Sequence, residues 1–224
     1  MGNKSILRSF STNHNNVLRD NLRFETDAIF NTIDRIACNE KLINTLNVFA
    51  EALAAAVDYG KPIYFTSIGK SVPMLEKTVA TMKSLGIPAF TLDAVHMLHG
   101  DVGVLDSDSI LVVASKSGHT KELNATLEYV VKSRHIDPWY ITMANEDDEI
   151  VAKYSSKEHI INLPICDEID RFNKVPTVSP IVFQLVLDAV AVRICDIRGF
   201  DESDFLFNHP GGDIGKSLSE ILEK

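Results

Sequence analysis

The sequence predicts a three-layer α/β/α sandwich with a parallel sheet of about five strands and a helical N-terminal extension. Three observations predict it. From Pro62 onward, short apolar runs alternate with stretches of helical periodicity. Those runs lack polar alternation, as strands covered on both faces do. Up to about residue 60, the chain reads as helix alone.

In the extension, Leu18, Leu22, Ile29, Ile33 and Ile36 form one helical face. Leu42, Leu46, Phe49, Leu53 and Val57 form a second, stopped by Gly60 and Pro62. Ile63-Tyr64-Phe65 is the first strand, and Leu75, Val79 and Met82 mark the helix after it, closed by Gly86 and Pro88. Ala89 to Leu92 is the second strand and Ile110 to Val113 the third. A helix follows on Leu123, Leu127, Val130 and Val131. Trp139 to Thr142 is the fourth strand. A short helix near Glu149 leads to the fifth at Ile160-Ile161. A long helix runs from Pro180 to Ile197, with Ser179 as N-cap and Pro180 in the first position. Right-handed βαβ crossovers then build one sheet. The expected organisation is an extension over 1–59 packed on a core over 60–224, counted as one domain.

The 224 residues carry 22 Lys plus Arg against 31 Asp plus Glu, a net charge of −9. That balance argues against a protein held by charge on nucleic acid or anionic lipid. A local nest of amides with one lysine can still hold a small anion. Met1 to Asn16 is polar, without a signal-peptide core, and Ile6 stands where a myristoylation motif wants Ser or Thr. Pro180 to Val192, the most apolar stretch, is too short for a bilayer and contains Gln184 and Asp188. Cys38, Cys166 and Cys195 are far apart and odd in number, which fits packed thiols in a reducing cytoplasm.

In such sheets, ligands sit beyond the carboxyl ends of the strands. Two turns there are rich in small hydroxyl residues: Thr66-Ser67-Ile68-Gly69-Lys70-Ser71 and Ser115-Lys116-Ser117-Gly118-His119-Thr120. Approachable backbone N–H groups, hydroxyl donors and a helix N-terminus suit a phosphate. Capped structural turns use the same residues, but two such turns favour phosphate binding. Gly69-Lys70-Ser71 is not a nucleotide P-loop, because Tyr64 replaces the required glycine. Gly215-Lys216-Ser217 fails likewise at Pro210. No GxGxxG follows a strand, so no dinucleotide is expected. The histidines match no zinc signature, and neither metal nor cofactor is expected. Asp188, within an apolar helix, reads as a buried carboxylate with a partner.

The segments His99-Gly100-Asp101-Val102-Gly103, Ser115-Lys116-Ser117-Gly118, Pro176-Thr177, Arg198-Gly199-Phe200 and His209-Pro210-Gly211-Gly212, with Gly69-Lys70-Ser71 and Asp188 to Val192, occur in an order that resembles the SIS (sugar isomerase) domain. The resemblance covers roughly residues 60 to 218. It is closest to the D-arabinose 5-phosphate isomerases of the KpsF/GutQ type. It implies the same five-stranded sandwich and an aldose–ketose isomerisation linking ribulose 5-phosphate and arabinose 5-phosphate. That aldose supplies Kdo for lipopolysaccharide or capsule. The alternatives are another SIS isomerase and a non-catalytic sugar-phosphate regulator. The resemblance implies Glu168 as base, His209 and His99 as acid–base helpers and Lys70 as electrostatic stabiliser. A carboxylate desolvated by substrate is expected to titrate nearer neutrality. Gly69, Ser71, Ser115, Ser117, Gly118, His119 and Thr120 are the implied phosphate and substrate contacts. His209 is expected in a site shared between subunits of a homo-oligomer, a dimer or tetramer. Members often carry CBS modules after this domain, and none is expected here. His119 stands where the family has Glu, and Lys116 where it has Asn. Both make the turn more basic, suiting a more anionic ligand.

Overall fold

The computed structural model describes residues 14–145 and 149–211. Two helices open it, α1 (His14–Ala37) and α2 (Glu40–Asp58). The Asn39 side chain caps α2 by accepting from the Leu42 amide. Then follow β1 (Ile63–Ser67), α3 (Val72–Ser84), β2 (Ala89–Asp93), α4 (Ala94–Met97), β3 (Ile110–Ser115) and α5 (Lys121–Arg134). The chain continues through β4 (Trp139–Thr142), α6 (Glu149–Ala152), β5 (Ile160–Asn162), α7 (Val178–Arg198) and α8 (Glu202–Phe207). All five expected strands form, each within a residue or two of its expected limits.

The strands pair in parallel in the order β2-β1-β3-β4-β5. The chain leaves β1 toward one edge and returns at β3 to build toward the other. The switch point therefore lies between β1 and β3, where the ladder sets Ile63 opposite Ile110 and Thr66 opposite Val113.

Alternate residues of each strand feed two cores. On one face Ile63, Phe65, Val112, Ala114, Trp139, Ile141 and Ile161 meet α2, α3 and α7. On the other, Leu111, Val113 and Tyr140 meet Leu123, Leu127 and Val130 of α5. The extension is part of the first core: Phe49 and Leu53 of α2 are fully buried, and the Phe49 ring lies 4.9 Å from that of Trp139. In α1 only the second half follows the expected pattern. Ile36 is buried and Ile29 and Ile33 pack against the core, whereas Leu18 and Leu22 are exposed.

Three expectations are corrected. The cap of α7 is Thr177, so Ser179 and Pro180 occupy its second and third positions. Pro180 is tolerated there because first-turn amides have no intrahelical acceptor. At 21 residues, α7 is long and apolar enough by length and composition to cross a membrane, unlike the shorter stretch read from the sequence. Its buried face, including Phe183, Leu187 and Ile194, lies in the first core. Of the thiols, Cys166 and Cys195 are buried but Cys38 is exposed.

Phe49→Ala removes a fully buried ring from the junction of extension and sheet. It should cost about 3–5 kcal/mol of stability. Urea unfolding of the full chain measures this, and a cost below about 1 kcal/mol would show that α2 is peripheral.

Candidate functional site

The two hydroxyl-rich turns leave the carboxyl ends of β1 and β3, which are neighbours at the switch point. The first passes through a short 3-10 turn, Gly69–Ser71, into α3. Gly69 adopts φ +71°, open to glycine at little steric cost. Ser71, at the N-cap, makes no side-chain cap bond; the Val72 amide donates to the Gly69 carbonyl, and Pro73 in the first turn has no N–H. Lys70 is exposed beside it.

The second turn is more tightly built. The Ser115 hydroxyl accepts from the Gly118 amide at 3.2 Å, and the Ser117 hydroxyl accepts from the His119 amide at 3.2 Å. Asn124 donates to the Gly118 carbonyl at 3.0 Å from below. Gly118 also has φ +71°, and an added Cβ would stand 2.9 Å from a methyl of Val151. Only glycine fits there. Thr120, the N-cap of α5, makes no side-chain cap bond. Two helix N-termini thus stand beyond the carboxyl ends of adjacent strands, neither with a side-chain cap. That arrangement favours an anion through aligned N–H groups and the partial positive charge of both helices.

Beneath this turn lie two buried polar atoms that sequence reading did not single out, Asn124 Oδ1 and the Tyr140 hydroxyl. Neither has a hydrogen-bond partner among the described residues. The Tyr140 hydroxyl lies near Ser115 but outside hydrogen-bond geometry, and burial pushes its pKa up to about 12.

Glu168 reaches the crevice on the irregular segment between β5 and α7. The segment is braced locally. Asn173 accepts from the Glu168 amide at 2.6 Å, and Asp170 accepts from the amides of Phe172, Lys174 and Val175. The Glu168 side chain is 1% exposed. Its Oε2 accepts from the amides of Thr177 (2.9 Å), Val178 (2.7 Å) and Ser179 (3.2 Å), and from the Thr177 hydroxyl (3.2 Å). Its Oε1 accepts from the Ser179 hydroxyl and from Lys116 Nζ at 2.5 Å. The carboxylate therefore caps α7 in place of a local side chain.

These bonds reverse the expected titration. Burial pushes the carboxyl up, but hydrogen bonds from Lys116, Ser179 and the backbone of Thr177 and Ser179 outweigh it. They bring the pKa down to about 2. A carboxylate has about four lone-pair sites, and six donors already address them. In this arrangement Glu168 is a poor base, contrary to expectation. Lys116, read from sequence only as a departure, is its counter-ion. Lys116 therefore adds no net charge to the crevice, and the reading of a more anionic ligand loses that support. The available signal was a lysine in the turn and an acidic cluster, Asp167, Glu168 and Asp170, in a later loop. The Cys166 thiol beside this pair is pushed up to about 11 by burial.

The other expected residues divide. His99 is exposed and follows α4, which leaves the carboxyl end of β2 on the crevice side of the sheet. His209 does not join the crevice within one chain. α3 runs antiparallel to β1, so its C-terminus lies at the amino end of the sheet. There Asn208 donates to the Ser84 carbonyl at 3.3 Å. His209 is bonded through Nδ1 to the Phe205 carbonyl at 2.7 Å and packs on the Phe205 ring. The final glycine of the HPGG segment, Gly212, lies outside the described residues, as does Gly215-Lys216-Ser217. Asp188 has a partner as expected, Lys77 at 2.5 Å, and also bonds Gln184 at 3.0 Å, but its side chain is about one-third exposed rather than buried.

Fold and turns together define an α/β domain with two hydroxyl-rich helix N-termini at its switch point. Residues 60–193 match the SIS domain, and the chain belongs to that family. An uncharacterised protein of Chlamydia muridarum is 35% identical over 153 residues, 68% of this chain and 45% of its own length. The arabinose 5-phosphate isomerase KdsD of Francisella tularensis is 30% identical over 183 residues, 80% of this chain and 54% of its own. The chain thus spans about half the length of these curated relatives. An Escherichia coli protein solved in complex with arabinose 5-phosphate superposes with a TM-score of 0.73. It covers 89% of this chain and all of its own at 24% identity, a likeness of fold.

Glu168 makes stability depend on acid. Its folded pKa of about 2 lies below the ordinary value of 4.5, so its contribution is complete above about pH 5 and is lost as pH falls toward 2. The contribution is roughly 3 kcal/mol. Denaturant melts across that window should show the loss in the wild type and a flatter profile in Glu168→Gln. Gly118→Ala should destabilise by at least about 1–2 kcal/mol from the left-handed backbone alone, more than Gly69→Ala, which meets open space.

Proposed function

We propose that this chain isomerises a phosphorylated aldose and its ketose, most simply arabinose 5-phosphate and ribulose 5-phosphate, through an enediolate. The observation that carries the reading is the pair of hydroxyl-lined helix N-termini, neither with a side-chain cap, on adjacent strands at the switch point. Similarity to KdsD proteins supports the choice of sugar.

The phosphate does no chemistry. Held by the amides and hydroxyls of Gly69, Ser71, Ser115, Ser117, Gly118, His119 and Thr120, it fixes the sugar so that remote binding orients the reacting carbons. Isomerisation then needs a base for the C2 proton and a donor for the developing oxyanion. Lys70 is the donor assigned here. His99 is a proton carrier on the same side of the sheet. His209 can contribute only from a second copy, so we propose a homo-oligomer with shared sites. Exposed Leu18, Leu22 and Phe30 of α1 and Ile181, Leu185 and Val192 of α7 offer apolar surface for such an assembly.

Incubation with ribulose 5-phosphate in heavy water tests the reaction. Deuterium should appear at C2 of the aldose. Absence of exchange with every aldose and ketose phosphate tried would overturn catalysis. The saturated Glu168 carboxylate favours a second reading, a receptor that binds phosphosugars without turnover. A thermal shift without exchange would select it. Light scattering at micromolar concentration should show at least a dimer, and a monomer would sink the shared site.

A further inference from the structure

The bonds around Glu168 divide its surroundings into two halves. One half belongs to α7, through the Thr177, Val178 and Ser179 amides and the hydroxyls of Thr177 and Ser179. The other is the single ammonium of Lys116, which stands in the β3 turn. The backbone of Lys116 is tied as firmly as its head: its carbonyl accepts from the Met143 amide at 3.1 Å, joining the turn to the end of β4. One ion pair thus bridges the α7 N-terminus to the middle of the Ser115–Thr120 turn. The Lys116 side chain is about one-third exposed (34%), while Glu168 is sealed.

We propose that Lys116 and Glu168 act together as a neutral positioning pair that fixes the β3 turn against α7, and that neither removes the substrate proton. This rests on the isomerase reading for its kinetic consequences, but the coupling of the two residues does not. The geometry supports it in three ways. Every lone-pair direction of the carboxylate is met by a donor, so a sugar C–H cannot approach without breaking the cap of α7. The Lys116 head is committed to the Glu168 carboxylate at 2.5 Å, so it is directed into the pair rather than toward a substrate carbon. The pair also ties two separate elements together, the β3 turn and the α7 N-terminus. Proton transfer is left to groups outside the pair, such as His99.

The pairing has a physical signature. Removing one member of a buried ion pair leaves an uncompensated charge or an unmet donor, whereas removing both at matched volume is often nearly neutral. The test is a double-mutant cycle on the full chain with Lys116→Met, Glu168→Gln and both together. Melting midpoints are read first, because they need no activity. Each single variant should fall by several degrees, about 2–4 °C for each kcal/mol lost at this size. The double variant should fall clearly less than the sum. Lys116→Arg, which keeps a cation, should recover most of the loss.

Exchange of the C2 proton in heavy water is the second readout. In the double variant it should return to within about tenfold of wild type, with the remaining deficit in KM rather than kcat. A general base contributes about 10²–10⁴-fold. If the double variant is folded yet stays as depressed in kcat as Glu168→Gln, Glu168 is the base and the proposal fails. Strictly additive midpoints would overturn it as well. Should Glu168→Gln fail to fold, Lys116→Met alone decides: wild-type midpoint and exchange in that variant would contradict a positioning pair. If the wild-type protein exchanges no phosphosugar, the isomerase reading falls while the midpoint cycle still judges the coupling.

Discussion

The architecture of this chain converges on one buried carboxylate. Glu168 lies between the first turn of α7 and the turn after β3, and it satisfies groups on both. Helix α7 is the centre of the first core and packs with α1, α2 and α3. Its N-terminal amides have no intrahelical acceptors, and Thr177 does not cap them with its own side chain. Without an acceptor from elsewhere, a helix end would be buried unsatisfied beside the candidate site. The segment from Leu163 to Thr177 folds through Asn173 and Asp170 so as to deliver that acceptor.

This arrangement changes how the crevice is read electrostatically. By composition, the β3 turn carries two more basic residues than the family it resembles. In the folded chain one of them is matched by an anion at hydrogen-bond distance. Under the proposed function, attraction for a phosphate would rest on helix N-termini, hydroxyls, Lys70 and His119 rather than on an accumulation of lysines. Fixed N–H groups recognise shape as well as charge, which suits a terminal phosphate on a small sugar.

Much of the fold was legible because parallel strands and amphipathic helices are local patterns. The apolar runs at Ile63, Ile110 and Trp139 could be placed without knowing their partners, since both of their faces are buried wherever they sit. The two specialised turns were legible for a similar reason: Gly, Ser and Thr at the end of an apolar run report backbone geometry directly. Leu18 and Leu22 were misread because periodicity reports a face and not what covers it. The N-cap of α7 was misread because its acceptor comes from ten residues upstream rather than from the adjacent serine.

The sequence alone determined the order of the strands and of the longer helices, the parallel sheet, the glycine-dependent turns and the family, since each depends on residues close together in the chain; the short helices α4 and α8 were not read from it. Only the tertiary structure decided the site's charge balance. Lys116 and Glu168 are 52 residues apart and meet only because the β3 turn and the segment before α7 lie at the same carboxyl end of the sheet. The same holds for His209, whose motif is plain in sequence. The antiparallel run of α3 leaves it at the opposite end of the sheet from the crevice, a distance that no local pattern encodes.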